Sequence, residues 1–362
     1  LTKPFAFPEL AARLRALMRR HEQLGRTDIA VGDLVLHLDS DRLEAGGVPV
    51  SLSSREFQLL RLLAEGSVDA EPSADHTVQV NVDGLTPGTT YYYRFIHSRD
   101  DGRYVSPVGR TRTAPAVNAA STLKAAIASC QRYDHGEWAA WQHMALQDLD
   151  LVMFLGDYIY EYPSRPDALR PHEGPLLRTL AQYRNRYAQY KSDPALQAAH
   201  AAFPWMLIWD DHEVENDIAR DRGQTLSGAA FLALRANAYQ AWWEHQPLPK
   251  AMRPVGPDLR IYDRFAWGRL ATIHAIDDRQ YRDPQVCLPP LRSGGSSVVA
   301  VADCPELRDT RRTLLGADQE RWLAEGWDLQ RPWNLLAQQT LMARLSRQPV
   351  TRPDTGEFWT DG

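Results

Sequence analysis

Three short stretches gather side chains able to bind cations or move protons. Residues 151–161, LVMFLGDYIYE, run through five apolar positions into Gly156-Asp157, then Tyr160 and Glu161. Residues 203–210, FPWMLIWD, open a second stretch that continues through Asp211, His212, Glu213, Glu215 and Asn216. A third apolar run, LKAAIASC, ends at Ser129-Cys130. Neighbouring carboxylates repel, and they coexist only with protons or cations between them. A histidine beside them is a natural acid, base or ligand near neutral pH. A thiol and a phenol beside hard oxygen donors suit a transition metal. The bland alternatives are a Gly-Asp turn, a solvated acidic turn and a buried cysteine. Six polar residues among the seven at 210–216, directly after an apolar run, favour a site. A fourth run, residues 270–276, ends in Asp277-Asp278-Arg279. Arg279 reads either as a phosphate-facing guanidinium or as half of a structural ion pair.

The surrounding pattern predicts how these groups meet. Short apolar runs of this kind read as buried parallel strands. Residues 137–150, EWAAWQHMALQDLD, read as a helix between two of them. Strand, helix and strand imply a right-handed crossover, which places Cys130 and Asp157 on one edge of the sheet. Open α/β sheets put ligands at the carboxyl ends of their strands. Gly156 permits a sharp turn there. Residues 176–202 have helical spacing of leucine and tyrosine. A Trp-rich helix is expected over 225–248 with Trp242-Trp243 in the core, another helix over 317–329, and a further element from PWNLLAQQ onward.

A chain of 362 residues suggests two or three domains. The net charge of −5 argues against a nucleic-acid coat. No apolar run has the length of a membrane span, and no export leader is visible. The chain begins at Leu1 rather than Met, which leaves room for residues before it. Cys287 and Cys304 lie in a Pro/Gly/Ser-rich loop, near enough in sequence to pair. Whether they bridge depends on compartment.

The first 66 residues differ in style. Residues 1–24 form a basic amphipathic pattern with Leu10, Leu14 and Leu17 on one face. Residues 28–52 alternate as short strands around Gly46-Gly47. Ser53 and Glu56 have capping-box spacing ahead of Phe57, Leu60 and Leu63. This stretch resembles a winged-helix two-component response regulator. Residues 1–24, with Lys3-Pro4, resemble the end of the receiver domain, and residues 25–66 the start of the DNA-binding domain. Such a domain reads bases with a later helix. Nothing after Gly66 fits that helix, so DNA is not the expected partner. Residues 67–115 alternate again, with Val78, Val80 and Val82, then Tyr91, Tyr93 and Phe95. They look like part of a fibronectin III-like or immunoglobulin-like β-sandwich whose aromatics form its core.

The motifs Ser129-Cys130-Gln131, GDYIYE, WDDHEVEN, IDDRQYR and LLGADQERWL…WNLLAQQ resemble the alkaline phosphatase D family of calcineurin-like metallophosphoesterases. The resemblance covers residues 67–362. It implies an α/β fold: a four-layer α/β/β/α sandwich over residues 116–362, C-terminally truncated, preceded by the partial β-sandwich and the receiver/winged-helix fragment. The implied activity is hydrolysis of phosphate mono- and diesters with Fe3+ and Ca2+. By motif, Cys130, Asp157 and Tyr160 would hold the iron, with Asp157 bridging and Asp211 on the second metal. Asp210 is a weaker metal candidate. His212 would contact the phosphate and assist the leaving group, with Asn216 and Arg279 toward the substrate. Two departures stand out. Asp217 replaces a usual second asparagine, and the family's Gly-Asp-Ile-His segment is absent from the sequence. The family is exported whereas the first 66 residues are cytoplasmic in type, so compartment stays open. The alternatives to an enzyme are a regulator-type DNA-binding fragment and an inactive fusion joined near residues 66–67.

Overall fold

The computed structural model describes residues 28–31, 34–37, 42–50, 68–99, 102–341 and 357–359. The amphipathic run at 1–24 and the capped helix expected from Ser53 lie outside the described residues. The chain divides into two compact units, Leu1–Asp69 and Ala70–Gly362.

The first unit contains an antiparallel meander, β1 (Asp28–Val31), β2 (Leu34–His37), β3 (Arg42–Ala45) and β4 (Val48–Val50). Gly46 and Gly47 both adopt positive φ (59° and 78°), as a tight hairpin turn between β3 and β4 requires. These are the strands that the alternation predicts.

The second unit opens with two antiparallel ribbons. One pairs β5 (Thr90–Tyr93) with β8 (Gly109–Arg112), the other β6 (Ile96–Arg99) with β7 (Gly102–Val105). Here the structure departs from the expected strand pattern. Residues 78–82 form no strand, and Val80 and Val82 are exposed. Alternation makes a segment fit for a sheet, but a strand forms only where a neighbour accepts its backbone groups. Of the aromatic face, Tyr91 is buried, whereas Tyr93 and Phe95 are exposed. Tyr93 lies across the strand pair over Gly109, whose missing side chain leaves room for the ring.

The site rests on two three-stranded sheets. In the first, β9 (Ala125–Ala128), β10 (Leu151–Phe154) and β11 (Trp205–Leu207) are parallel, with β10 central. Helix α1 (Ala139–Ala145) makes the β9–β10 crossover, while α2 (Leu180–Lys191) and α3 (Pro194–Ala202) join β10 to β11. The helical run at 176–202 splits because Asp193 caps α3, with Pro194 at its first position. Thr179 and Gln182 close a capping box on α2. Buried Tyr183, Arg186, Tyr187 and Tyr190 stand at i, i+3, i+4 and i+7, the spacing of one helical face.

The second sheet orders β12 (Asp263–Trp267), β13 (Ala271–Ala275) and, after β14 (Val298–Ala300), β15 (Trp333–Ala337), with β13 and β15 parallel. Helix α4 (Gly228–His245) packs Trp242 into an aromatic core, where Trp209 stacks on Tyr239 at 4.1 Å. Helix α5 (Ala317–Gly326) precedes β15, and β14 pairs with β16 (Glu357–Trp359). Cys287 and Cys304 are joined by a disulfide. No helix among the described residues is long and apolar enough to cross a membrane.

Candidate metal centre

Each of the three parallel strands delivers its polar cluster at the carboxyl end, on a single rim. Past β9, Cys130 turns with a left-handed φ of 56°, its N–H donating to the Gly156 carbonyl at 3.0 Å. Gln131 N–H donates to the Asp157 carbonyl at 3.2 Å. Past β10, Gly156 has φ 104°, and a Cβ there would lie 2.3 Å from the Asp210 nitrogen. Only glycine fits that approach. Asp157 follows with φ 58°. Left-handed backbone is uncommon outside glycine, and Cys130 and Asp157 both adopt it at the strand ends.

A buried glutamate locks the strand ends together. Glu213 accepts the N–H of Asp157 at 3.1 Å, that of Asp210 at 2.9 Å, and that of Tyr158. Burial pushes its carboxyl up to about 7 even so. Arg186, from α2, donates to the carbonyls of Tyr160, Tyr162 and Glu173, which fixes the loop bearing Tyr160.

Within this frame Asp157, Asp211 and His212 place their ligand atoms within 4.8 Å of one another. Tyr160 donates its hydroxyl to Asp157 Oδ2 at 2.8 Å, and the Cys130 thiol lies against both Asp157 and Tyr160. Desolvation by the side chains around it, then the charge of Asp157, pushes that thiol up to about 12, although Cys130 as a whole is exposed. Burial and the neighbouring Asp211 raise the Asp157 carboxyl to about 7. Burial opposes ionisation of Asp211 as well, but Arg279, His212 and the Asp217 N–H outweigh it and hold that carboxyl at about 2. His212 is pulled down by burial but carried to about 10 by Asp211 and Glu161. A cation-hungry pocket has this signature: buried carboxylates crowded together and kept apart by protons and a histidinium. The donor set of carboxylates, thiol, phenol and imidazole fits bound metal. Among the described residues the other close grouping, Cys287, Cys304 and Glu306, has its two sulfurs in the disulfide.

The remaining predicted residues surround this group. His212 Nδ1 engages Glu161 Oε2 at 2.7 Å, and its ring packs on Tyr160 at 4.2 Å. Asn216 N–H donates to the other Glu161 oxygen at 2.8 Å. Asp277 Oδ1 accepts the N–H groups of Arg279 and Gln280 at 3.0 and 2.9 Å, which turns the chain after β13. That turn swings Arg279 onto Asp210, through Nε, and toward Asp211, with Nη2 3.8 Å from Oδ2. The arginine thus reaches the rim through its carboxylates. Sequence reasoning placed Glu161 and Glu213 in their clusters without giving either a role, and passed over Arg186. Glu161 was visible as the acid four residues after Asp157. The other two act on backbone groups of distant segments, which leaves no local pattern to read.

A parallel α/β sheet whose strand ends gather acids and a histidine places them where α/β enzymes hold their ligands. The PhoD-like phosphatase family matches residues 125–362, and the N-terminal domain of PhoD-like phosphatases matches residues 37–115. The chain belongs to the PhoD-like phosphatase family. It is 42% identical over 323 residues to alkaline phosphatase D of Bacillus subtilis (strain 168), covering 85% of this chain and 53% of that protein. A solved structure of PhoD superposes with a TM-score of 0.71 at 44% identity, over 81% of this chain and 54% of that one. The chain spans about half the length of these relatives. A shorter similarity, 50% over 66 residues, links 17% of this chain to 26% of the transcriptional regulatory protein TrcR of Mycobacterium tuberculosis (strain ATCC 25618 / H37Rv).

Proposed function

We propose that this chain carries the catalytic rim of a metal-dependent phosphoesterase acting on phosphate mono- and diesters. The observation that carries the proposal is the approach of the Asp157 and Asp211 carboxyls to His212 within 4.8 Å in a buried pocket. In this reading the two sheets are the inner layers of a four-layer α/β/β/α sandwich. Cys130, Asp157 and Tyr160 would hold Fe3+, since thiolate and phenolate stabilise a trivalent transition metal. Asp211 and Asp157 would hold Ca2+, while Arg279 occupies Asp210. Bound there, the metals would supply Lewis acidity and a water of lowered pKa for attack on the phosphoryl group. The chain's own groups do the rest. Glu161 holds His212 through Nδ1 and so leaves Nε2 to protonate the departing oxygen. Asn216 and Arg279 support the rim on the substrate side.

Turnover of p-nitrophenyl phosphate by the chain reconstituted with iron and calcium tests this. The expected result is activity abolished by a chelator and reduced at least ~1000-fold in Asp157→Ala. Unchanged turnover in that variant would defeat the assignment. A second reading attaches to the similarity with TrcR: residues 1–66 contact duplex DNA. It calls for sequence-selective, salt-dependent retardation of a duplex in a gel, and a lack of discrimination between sequences ends it. An inactive fusion is a third outcome, marked by iron content near zero after reconstitution.

A further inference from the structure

Asp217, where the family resemblance leads one to expect asparagine, makes contacts that tie the metal-ligating rim to the disulfide loop. Its N–H donates to Asp211 Oδ2. Its carboxylate Oδ2 accepts from Ser296 twice, from N–H at 2.9 Å and from the hydroxyl at 3.0 Å. Its carbonyl accepts from buried Gln285 at 3.0 Å. With φ 56°, Asp217 is left-handed, the conformation in which its amide turns back toward Asp211.

Ser296 and its neighbours belong to a ring closed by Cys287–Cys304, a sequence separation of 17. The ring docks closely on the segment after Asp217. A Cβ on Gly294 would lie 2.6 Å from the Gly223 carbonyl oxygen, and Ser293 donates to the Thr225 carbonyl at 3.4 Å. Arg292 Nη1 caps the turn by donating to the Ser296 carbonyl at 3.0 Å. Gly223 in turn presses on buried Glu215. The path from the disulfide to a rim carboxylate is therefore short: ring, Ser296, Asp217, Asp211.

We infer that Asp217 is a positioning residue for Asp211, and that the disulfide-closed loop sets the affinity of the rim for its second cation by holding Asp217 in place. A carboxylate at 217 serves this better than an amide, because charge-assisted hydrogen bonds to Ser296 are stronger than neutral ones. A carboxylate aimed by its own hydrogen bonds binds a cation without first being ordered. The inference rests on the reading of Asp211 as a cation ligand.

Calcium titration by calorimetry on the iron-loaded chain tests it, with melting temperature and iron content measured alongside. Substitution in place of a reducing agent spares the ferric ion. The Cys287→Ser/Cys304→Ser variant, Asp217→Ala and Ser296→Ala should each weaken calcium binding, by roughly tenfold for the first two and less for the third, with iron content unchanged. Combining Cys287→Ser/Cys304→Ser with Asp217→Ala should add little to either alone, since both act along one path. Asp217→Asn should recover most of the affinity lost in Asp217→Ala. If the variants lower the melting temperature but bind calcium as the parent does, the disulfide is only a staple and the inference fails. Ser296→Ala removes a single hydroxyl and keeps the test open should the cysteine variant not fold. Asp211→Asn separates the two levels. If it too leaves calcium binding untouched, the proposed metal site itself is wrong and the inference falls with it.

Discussion

At the level of single residues, the rim depends on contacts that no neighbouring residue can replace. Glu161 is one, since it orients His212 through Nδ1 and is itself held by the Asn216 amide. Replacing it as Glu161→Gln keeps the shape but removes the charge that helps hold His212 near 10. The expected effect is a fall in kcat of about 10–100-fold with little change in KM, measured by steady-state hydrolysis of p-nitrophenyl phosphate. An equal loss spread over KM would instead mean that His212 serves binding. Gly156 is another. A Cβ at 2.3 Å from the Asp210 nitrogen, on a backbone with φ 104°, has nowhere to go. Gly156→Ala should cost ~3 kcal/mol of stability by clash and backbone strain, read from urea unfolding.

At the level of elements, the strand ends are joined by polar groups as much as by packing. Glu213 satisfies three backbone N–H groups from two different segments. In Glu213→Ala these donors lose their acceptor in a buried site, at about 1–3 kcal/mol each before water enters. The variant should unfold at lower urea and lose cation affinity together. Helix α2 contributes a pH-dependent term. Burial holds the Lys191 ammonium down to about 7, with its nitrogen 5.0 Å from the Tyr158 ring centre. The unfolded chain keeps that proton up to about pH 10.4. Between those values the unfolded state binds more protons, so this group's contribution to stability rises with pH and is lost as pH falls through 7. Lys191→Met should therefore raise the melting temperature by a few degrees at pH 6, and by less at pH 9. A gain that is the same at both pH values would contradict a neutral buried amine.

At the scale of the whole molecule, the parts that were legible in the sequence share one property: their information is local. The runs LVMFLGD and FPWMLIWD state in a few residues both a buried strand and the acid at its end, and the structure sets Asp157 beside Asp211, the acid that follows the second run. The crossover through α1 followed from strand, helix and strand in order. What was not legible is long-range. Residues 78–82 alternate as a strand would, yet among the described residues no strand pairs with them, and Val80 and Val82 face solvent. Arg279 could be read toward phosphate or toward a carboxylate, and only the Asp277 turn, built after β13, directs it onto Asp210. Glu213 sits in the acidic motif but acts on backbone amides of two segments. The account as a whole requires that three strand ends share one cation site. Anomalous diffraction at the iron absorption edge, from crystals of the chain reconstituted with iron, measures this directly. The account predicts a peak about 2.0–2.4 Å from the Cys130 sulfur, an Asp157 oxygen and the Tyr160 oxygen. A peak elsewhere in the molecule, with Asp157 and Cys130 bearing none, would contradict it.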